Sequence, residues 1–595
     1  MPVEYTAPQE DMRFVLQQLI DAEAIRQLPG YEEFSADLVE AILEEAGKFA
    51  SGVISPLNHI SDEKGATLLP GHMVQTSPGF KEAYQQYVEA GWNSLAGNTE
   101  FDGQGLPEVM ATATNEMWQS ASMSFALCPM LTAGAIHAIE HHGSAQQKTT
   151  YLSKLISGEW AGTMNLTEPQ AGSDLAAVTT KAEPKGEHYF ISGTKIYITY
   201  GEHDLTENII HLVLARIPDA PAGVKGISLF LVPKFLVQAD GSLGLRNDVN
   251  CISLEHKLGI HGSPTAVMSY GDTGGAVGYL VGEPNRGLEY MFTMMNHARL
   301  NVGLQGIAVA ERALQQAKWY AFDRVQGKTL LKPPGEPIAP APIAYHPDIR
   351  RMLASMGSRT QAMRALAYEA AAQLDIATRS PNTAVAQAAQ IRADFLIPIV
   401  KGWCTELSID IASLGVQIHG GMGYVEETGA AQLLRDARIT TIYEGTTAIQ
   451  ANDLLGRKLL RDQGACANLL LGDMTLTITA LTQAPDKHLK NLGANLQAGH
   501  DALKECFDYM LTHGKSDAAA AYFGSVPLLM LTGHVLGGWM MARAALICHQ
   551  AQDTSTFSEH KKASAYFYGQ QILMPALGSV AAITAGHQGV EMGVA

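Results

Sequence analysis

HYFISGTKIYITY, His188 to Tyr200, decides how this chain is built. Its β-branched and aromatic residues are spaced as in a strand, and no helix of ordinary length fits the region around it. Two shorter runs follow, IIHLVLARI (209–217) and GISLFLVP (226–233), bounded by Gly, Pro and Asp as strands are. On both sides the period changes. Upstream, DMRFVLQQLIDAEAI (11–25) and LVEAILEEAGKFA (38–50) carry apolar residues at helical spacing. Downstream, the helical period returns in the long run 288–325. A Pro-rich loop at 331–347 precedes further long helices. From Leu459 onward the chain is Ala/Leu-rich and helical again.

The order is therefore helices, a compact β-domain, helices and a further helical block. The expected class is α+β, mainly α, with segments at 1–160, 161–282, 283–458 and 459–595. A helical bundle interrupted by a β-domain leaves a cleft where the two meet, and such clefts take ligands.

Composition narrows the function. The 595 residues are too many for one core. With 46% hydrophobic and 17% charged residues the chain is globular. A formal charge of −18 does not suit DNA or an anionic membrane, so no nucleic-acid partner is expected. The six cysteines are scattered and none form a CxxC pair, which fits a reducing compartment. The first residues, MPVEYTAPQEDMRF, have neither a basic nor an apolar region of a signal peptide. A cytoplasmic location is expected. The apolar stretch Val526–Ala542 is broken by Pro527, His534 and three glycines and is short for a span. It reads as a buried bundle helix, with no integral membrane segment.

The chemistry-bearing stretches are LTEPQAGSD (166–174), GTKIYITYGE (193–202), KLGIHGSPT (257–265), QIHGGMGY (417–424) and RDARITTIYEGTTAIQ (435–450). The first is a polar loop between strands, whose N–H groups and hydroxyls can hold a polar ring or a phosphate. In the last, Glu444 sits among apolar neighbours. Such a carboxylate either caps the helix starting at Thr446 or is a base kept short of water. His137 and His141 stand at i, i+4, but without a third ligand in the pattern they read as a solvated helix face, and no metal is expected. The Gly420–Gly421 pair lacks a dinucleotide fingerprint and its preceding strand.

In this order the five stretches resemble the acyl-CoA dehydrogenase family over about 34–458. The extra helical block resembles its longer bacterial branch, which includes 3-(methylthio)propionyl-CoA dehydrogenases. The resemblance implies FAD as cofactor. It implies Leu166 and Thr167 against the pyrimidine side of the flavin, Tyr197 flanking the ring where the family often has Trp, and Thr199 near N5. Arg324 would bind the pyrophosphate, with Gln417, Gly421 and Thr446 also on the cofactor; a glycine at 421 allows close backbone approach. Ser173 would hydrogen-bond the CoA arm or the cofactor, Asn296 the CoA arm, and Arg299 would support the substrate's phosphate or pantetheine end. Glu444 would remove the α-proton, with its own backbone N–H among the donors to the enolate oxygen. One branch carries its base just before the arginine of MMNHARL; here that position is Ala298, which takes no proton. The resemblance also implies electron-transfer flavoprotein as acceptor, a homodimer and a place in fatty-acid β-oxidation, with fatty acyl-CoA or 3-(methylthio)propionyl-CoA as substrate. An acyl-CoA oxidase and a non-catalytic, nucleic-acid-binding relative are the alternatives.

Overall fold

The computed structural model describes residues 4–328, 330–331 and 340–587, so positions 332–339 of the Pro-rich loop at 331–347 lie outside the described residues. The chain divides into two compact units. One comprises Lys48–Leu106 and Ala121–Ala298; the other comprises Met1–Gly47, Pro107–Ser120 and Arg299–Ala595.

The first unit holds the sheet. A hairpin of β1 (Thr67–Leu69) and β2 (Met73–Gln75) comes first, in a region read as helical. Three-residue strands are too short to show a period, which is why the sequence did not reveal it. Next come β3 (Trp160–Asn165), β4 (Lys181–Lys185), β5 (His188–Thr199), β6 (Asn208–Ala215), β7 (Ser228–Pro233), β8 (Phe235–Val237), β9 (Leu243–Arg246), β10 (Val249–Leu254), β11 (Thr265–Tyr270) and β12 (Ala276–Val281). The main sheet runs β10-β11-β5-β12-β7-β6-β3, with β4 also on β5. Only its β3–β6 pair is parallel.

β6 and β7 read as unbroken apolar runs because both faces are buried. Ile210, Leu212, Leu214, Leu229 and Leu231 pack with Ala135, Ile139, Leu152 and Leu155 from helices Met123–His142 and Ala145–Ser157. The alternate residues Val213, Ala215, Phe230 and Val232 join Ile191, Ile198 and Met268 in a second core.

The second unit is helical. Its long elements are Pro347–Arg379, Thr383–His419, Lys487–His513 and Ser525–Gln550, together with the C-terminal part of Gly287–Asp323. A Cβ added at Gly306 would stand 2.7 Å from the Cys404 carbonyl oxygen, so only glycine lets these two helix backbones lie so close. A buried ion cluster ties the N-terminal segment and the C-terminal block to this bundle. Arg364 meets Asp11 at 2.6 Å, Glu116 at 2.5 Å and Glu311 at 2.8 Å, and Lys561 also pairs with Asp11. The Val526–Ala542 stretch lies in a mostly buried helix, Ser525–Gln550. Among the described residues, three helices are long and apolar enough to cross a membrane; Met123–His142 and Ser525–Gln550 bury 83% and 78% of their apolar stretch inside the protein, Ala465–Gln483 39%.

Candidate active site

Each unit carries its own group of site residues. In the sheet unit, the loop 166–174 is strapped to β5. Ile196 N–H donates to the Thr167 carbonyl at 2.9 Å, and Lys195 Nζ donates to the Leu166 carbonyl at 3.0 Å. These bonds gather Leu166, Thr167, Tyr197 and Thr199, four of the residues expected at the flavin. β5 and β11 lose register between Ala266 and Met268, which pair with Ile198 and Lys195. Ile196 and Tyr197 therefore oppose one residue, a β-bulge. Tyr197 takes φ 59 there and its ring is turned out, 61% exposed. Among the described residues, the hydroxyls of Thr167 and Thr199 have no hydrogen-bond partner.

What fixes this loop is a residue pair the sequence reading passed over. Lys195 is fully buried, 2.8 Å from Glu168, which is buried too. Glu168 also accepts from Thr179 N and Oγ1, Thr180 N and Oγ1, and Gln170 Nε2. Burial raises its pKa, but the Lys195 charge and these donors outweigh burial and bring it down to about 2. Burial pulls Lys195 down to about 8 against the pull of Glu168. The available signal was a lone lysine at an inward position of an apolar strand. Such a charge must have a partner. Ser173 and Asn296 are exposed.

In the helical unit, Glu444 lies in the turn before helix Thr447–Asp453. It does not cap that helix. Thr446 does, its Oγ1 accepting from Ile449 N at 3.3 Å. Glu444 takes φ 56 and Gly445 φ 90, two successive left-handed residues. Gln450 Nε2 donates to the carbonyls of both at 3.3 Å, and Lys401 Nζ donates to the Gly445 carbonyl at 2.6 Å. Glu444 Oε1 is shut off from water and has no hydrogen-bond partner. Burial pushes this carboxyl up to about 7, against the charges of Arg299 and Lys401. Among the described residues, the Glu444 backbone N–H has no acceptor.

Arg299, expected on the CoA arm, is buried, with its guanidinium 3.5 Å from Asp453. The sequence showed its charge but not that the helix turns it inward. Arg324 is exposed just past the end of Gly287–Asp323, and Gln417 is exposed near the end of Thr383–His419. Among the described residues other than its chain neighbours, nothing comes within 4 Å of a Cβ placed at Gly421, so packing there does not require glycine. His137 and His141 do have a third candidate ligand nearby, Glu140. However, Glu140 accepts from Asn98 at 2.6 Å and His141 Nδ1 donates to the His137 carbonyl at 2.8 Å, so these groups serve the helix surface.

Comparison with known proteins matches this architecture along nearly its whole length. Residues 37–159 match the acyl-CoA dehydrogenase N-terminal domain, 163–273 its middle domain and 285–459 its C-terminal domain. Residues 470–592 match a domain described as acetyl-CoA dehydrogenase C-terminal like. The chain belongs to the acyl-CoA dehydrogenase family. It is 49% identical over 574 residues, 96% of each chain, to a 3-methylmercaptopropionyl-CoA dehydrogenase of Ruegeria pomeroyi. The fold is that of Caenorhabditis elegans ACDH-11 in complex with C11-CoA (TM-score 0.76, 21% identity, covering 96% of this chain and 92% of that one). It is also that of a Bacillus anthracis acyl-CoA dehydrogenase complexed with FAD (TM-score 0.73, 22% identity, covering 94% and 89%).

As a member of this family the chain is an FAD-dependent acyl-CoA dehydrogenase. Its residues fit that cofactor. The outward Tyr197 ring, the unpartnered Thr167 and Thr199 hydroxyls and the apolar Leu166 make one side for a flat heteroaromatic ring.

Proposed function

We propose that Glu444 removes the α-proton of an acyl-CoA thioester while the β-hydrogen leaves as hydride, and that 3-(methylthio)propionyl-CoA is the preferred thioester. The observation that carries the base assignment is the Glu444 carboxylate, with an oxygen shut off from water, no donor on that oxygen and a pKa raised to about 7. Desolvation of this kind makes a carboxylate more basic. The proton goes to the unpartnered Oε1. Charge then develops on the thioester oxygen, and the free Glu444 N–H supplies a preorganised donor for it. FAD, when bound, supplies the hydride acceptor. The left-handed turn holds carboxylate and N–H on one residue in fixed relation, so proton removal and enolate stabilisation share a support.

The choice of thioester is supported by the 49% identity to the Ruegeria enzyme across 96% of both chains. The test is an anaerobic panel of short to long acyl-CoA plus 3-(methylthio)propionyl-CoA, read as flavin bleaching. A saturated fatty acyl-CoA giving the highest kcat/KM would overturn the choice.

Electron-transfer flavoprotein is the proposed acceptor, in a β-oxidation type of desaturation. Air-level turnover matching the flavoprotein-driven rate would favour an oxidase instead. A cytoplasmic homodimer completes the proposal. The exposed apolar side chains of Trp319 and Phe322 beside Arg324 support the dimer, and six free, buried cysteines are in keeping with a reducing compartment. A monomer by analytical ultracentrifugation would remove the dimer.

A further inference from the structure

We propose that Lys401 is a positioning residue for Glu444: its buried amino group anchors the Gly445 carbonyl and, when protonated, favours the ionised form of the neighbouring carboxylate that takes the proton. This rests on the reading of Glu444 as the base.

Lys401 lies in the middle of the Thr383–His419 helix and is 0% exposed. Burying an ammonium is unfavourable unless it is paired. Among the described residues no carboxylate stands within ion-pair distance of it. Its hydrogen bond goes instead to the Gly445 carbonyl at 2.6 Å. A methionine would fill a similar volume without that penalty, so packing alone does not account for a lysine here.

The turn it binds is the one that needs holding. Glu444 and Gly445 both have positive φ, and such conformations persist only where the surroundings fix them. Gln450 fixes the turn from the helix after it; Lys401 fixes it from a different helix. Burial lowers the Lys401 pKa to about 7, with Glu444 raising it, Arg299 lowering it and Glu406 raising it. Each charge of the Lys401–Glu444 pair therefore favours the other.

The remaining charged or titratable groups around them are accounted for. Arg299, from the Gly287–Asp323 helix, also faces Glu444 and is shared with Asp453 of the Thr447–Asp453 helix. Glu406, on Lys401's own helix, accepts from the Thr447 hydroxyl. Burial keeps Tyr443, the residue before Glu444, protonated. Among the described residues, removing the Lys401 charge leaves Arg299 as the cation acting on Glu444.

The experiment is an isotope-edited infrared titration of the Glu444 carboxyl in the full-length holoenzyme, with its band assigned by its loss in Glu444→Gln. Lys401→Met and Lys401→Gln are compared with wild type; the second keeps a donor for the Gly445 carbonyl and carries the test if the first does not fold. Both should move the Glu444 midpoint upward by about one pH unit, because a nearby cation favours the carboxylate. The acid limb of the anaerobic single-turnover rate should move with it. A Lys401 that only supports packing would lower thermal stability and leave both midpoints in place, and an unchanged infrared midpoint overturns the proposal. The base reading is tested apart from this. Glu444→Gln reducing flavin at the wild-type rate would remove Glu444 as the base, and the infrared midpoint would still decide what Lys401 does to it.

Discussion

Glu168 and Glu444 are both glutamates drawn out of water beside a buried lysine, one in each unit, and they end up in opposite states. Glu168 receives six donors, Lys195 among them, and is held near 2. Glu444 has no donor on Oε1, its lysine binds a backbone carbonyl instead, and it stands near 7. Burial pushes both carboxyls upward; at Glu168 the Lys195 charge in direct contact and the other donors on its oxygens outweigh burial, whereas at Glu444 the charges of Arg299 and Lys401 do not. A saturated carboxylate is a strut, and it pins the loop 166–174 to β5. An unsaturated one keeps a lone pair for a proton.

The comparison breaks most easily at Glu444. Glu444→Gln keeps shape and backbone N–H, so acyl-CoA should still bind and perturb the flavin spectrum. The single-turnover rate of flavin bleaching should fall by ~10²–10⁴-fold, the usual effect of losing a general base. Bleaching at the wild-type rate would end the assignment.

The same kind of change at Glu168 should act on stability. Lys195→Met leaves the Glu168 charge buried and loses its strongest partner, which typically costs about 3–5 kcal/mol. Chemical denaturation should show that loss, with release of FAD before the main transition. A variant as stable as wild type would mean that the loop is held by its threonines alone.

pH separates the two carboxyls without mutation. Glu444 acts as carboxylate, so kcat/KM should rise as pH increases through about 7. Glu168 has a lowered pKa. Its stabilising contribution is present above the ordinary value of 4.5 and is lost as pH falls from there toward about 2. Activity should therefore decline on acidification well before the fold does. Loss of both in one transition, followed by activity and circular dichroism on the same samples, would contradict the contrast.

The smallest effect is expected next to the base. Thr446→Ala removes the N-cap of Thr447–Asp453 and should lower stability by about 1 kcal/mol. A much larger loss of FAD affinity than of stability would give Thr446 the cofactor contact that the family resemblance implies.

Sequence alone determined the alternation of helical and strand periods, because those periods are local: 2 along β5, 3.6 along the long helices. It also offered Glu444 of the IYEGT turn as either a helix cap or a base, since the residue types that raise the question stand next to one another in the chain. Which charges would be buried, and against what, was decided only by the tertiary structure. Lys195 finds Glu168 across 27 positions of chain, and Lys401 reaches Gly445 across 44. Arg299 is turned inward to Asp453, 154 positions away. The pKa of a carboxyl depends on water excluded and donors supplied by such distant segments, and no local pattern records them. The sequence could therefore name Glu444 as a candidate base, but only the fold left its oxygen without a donor.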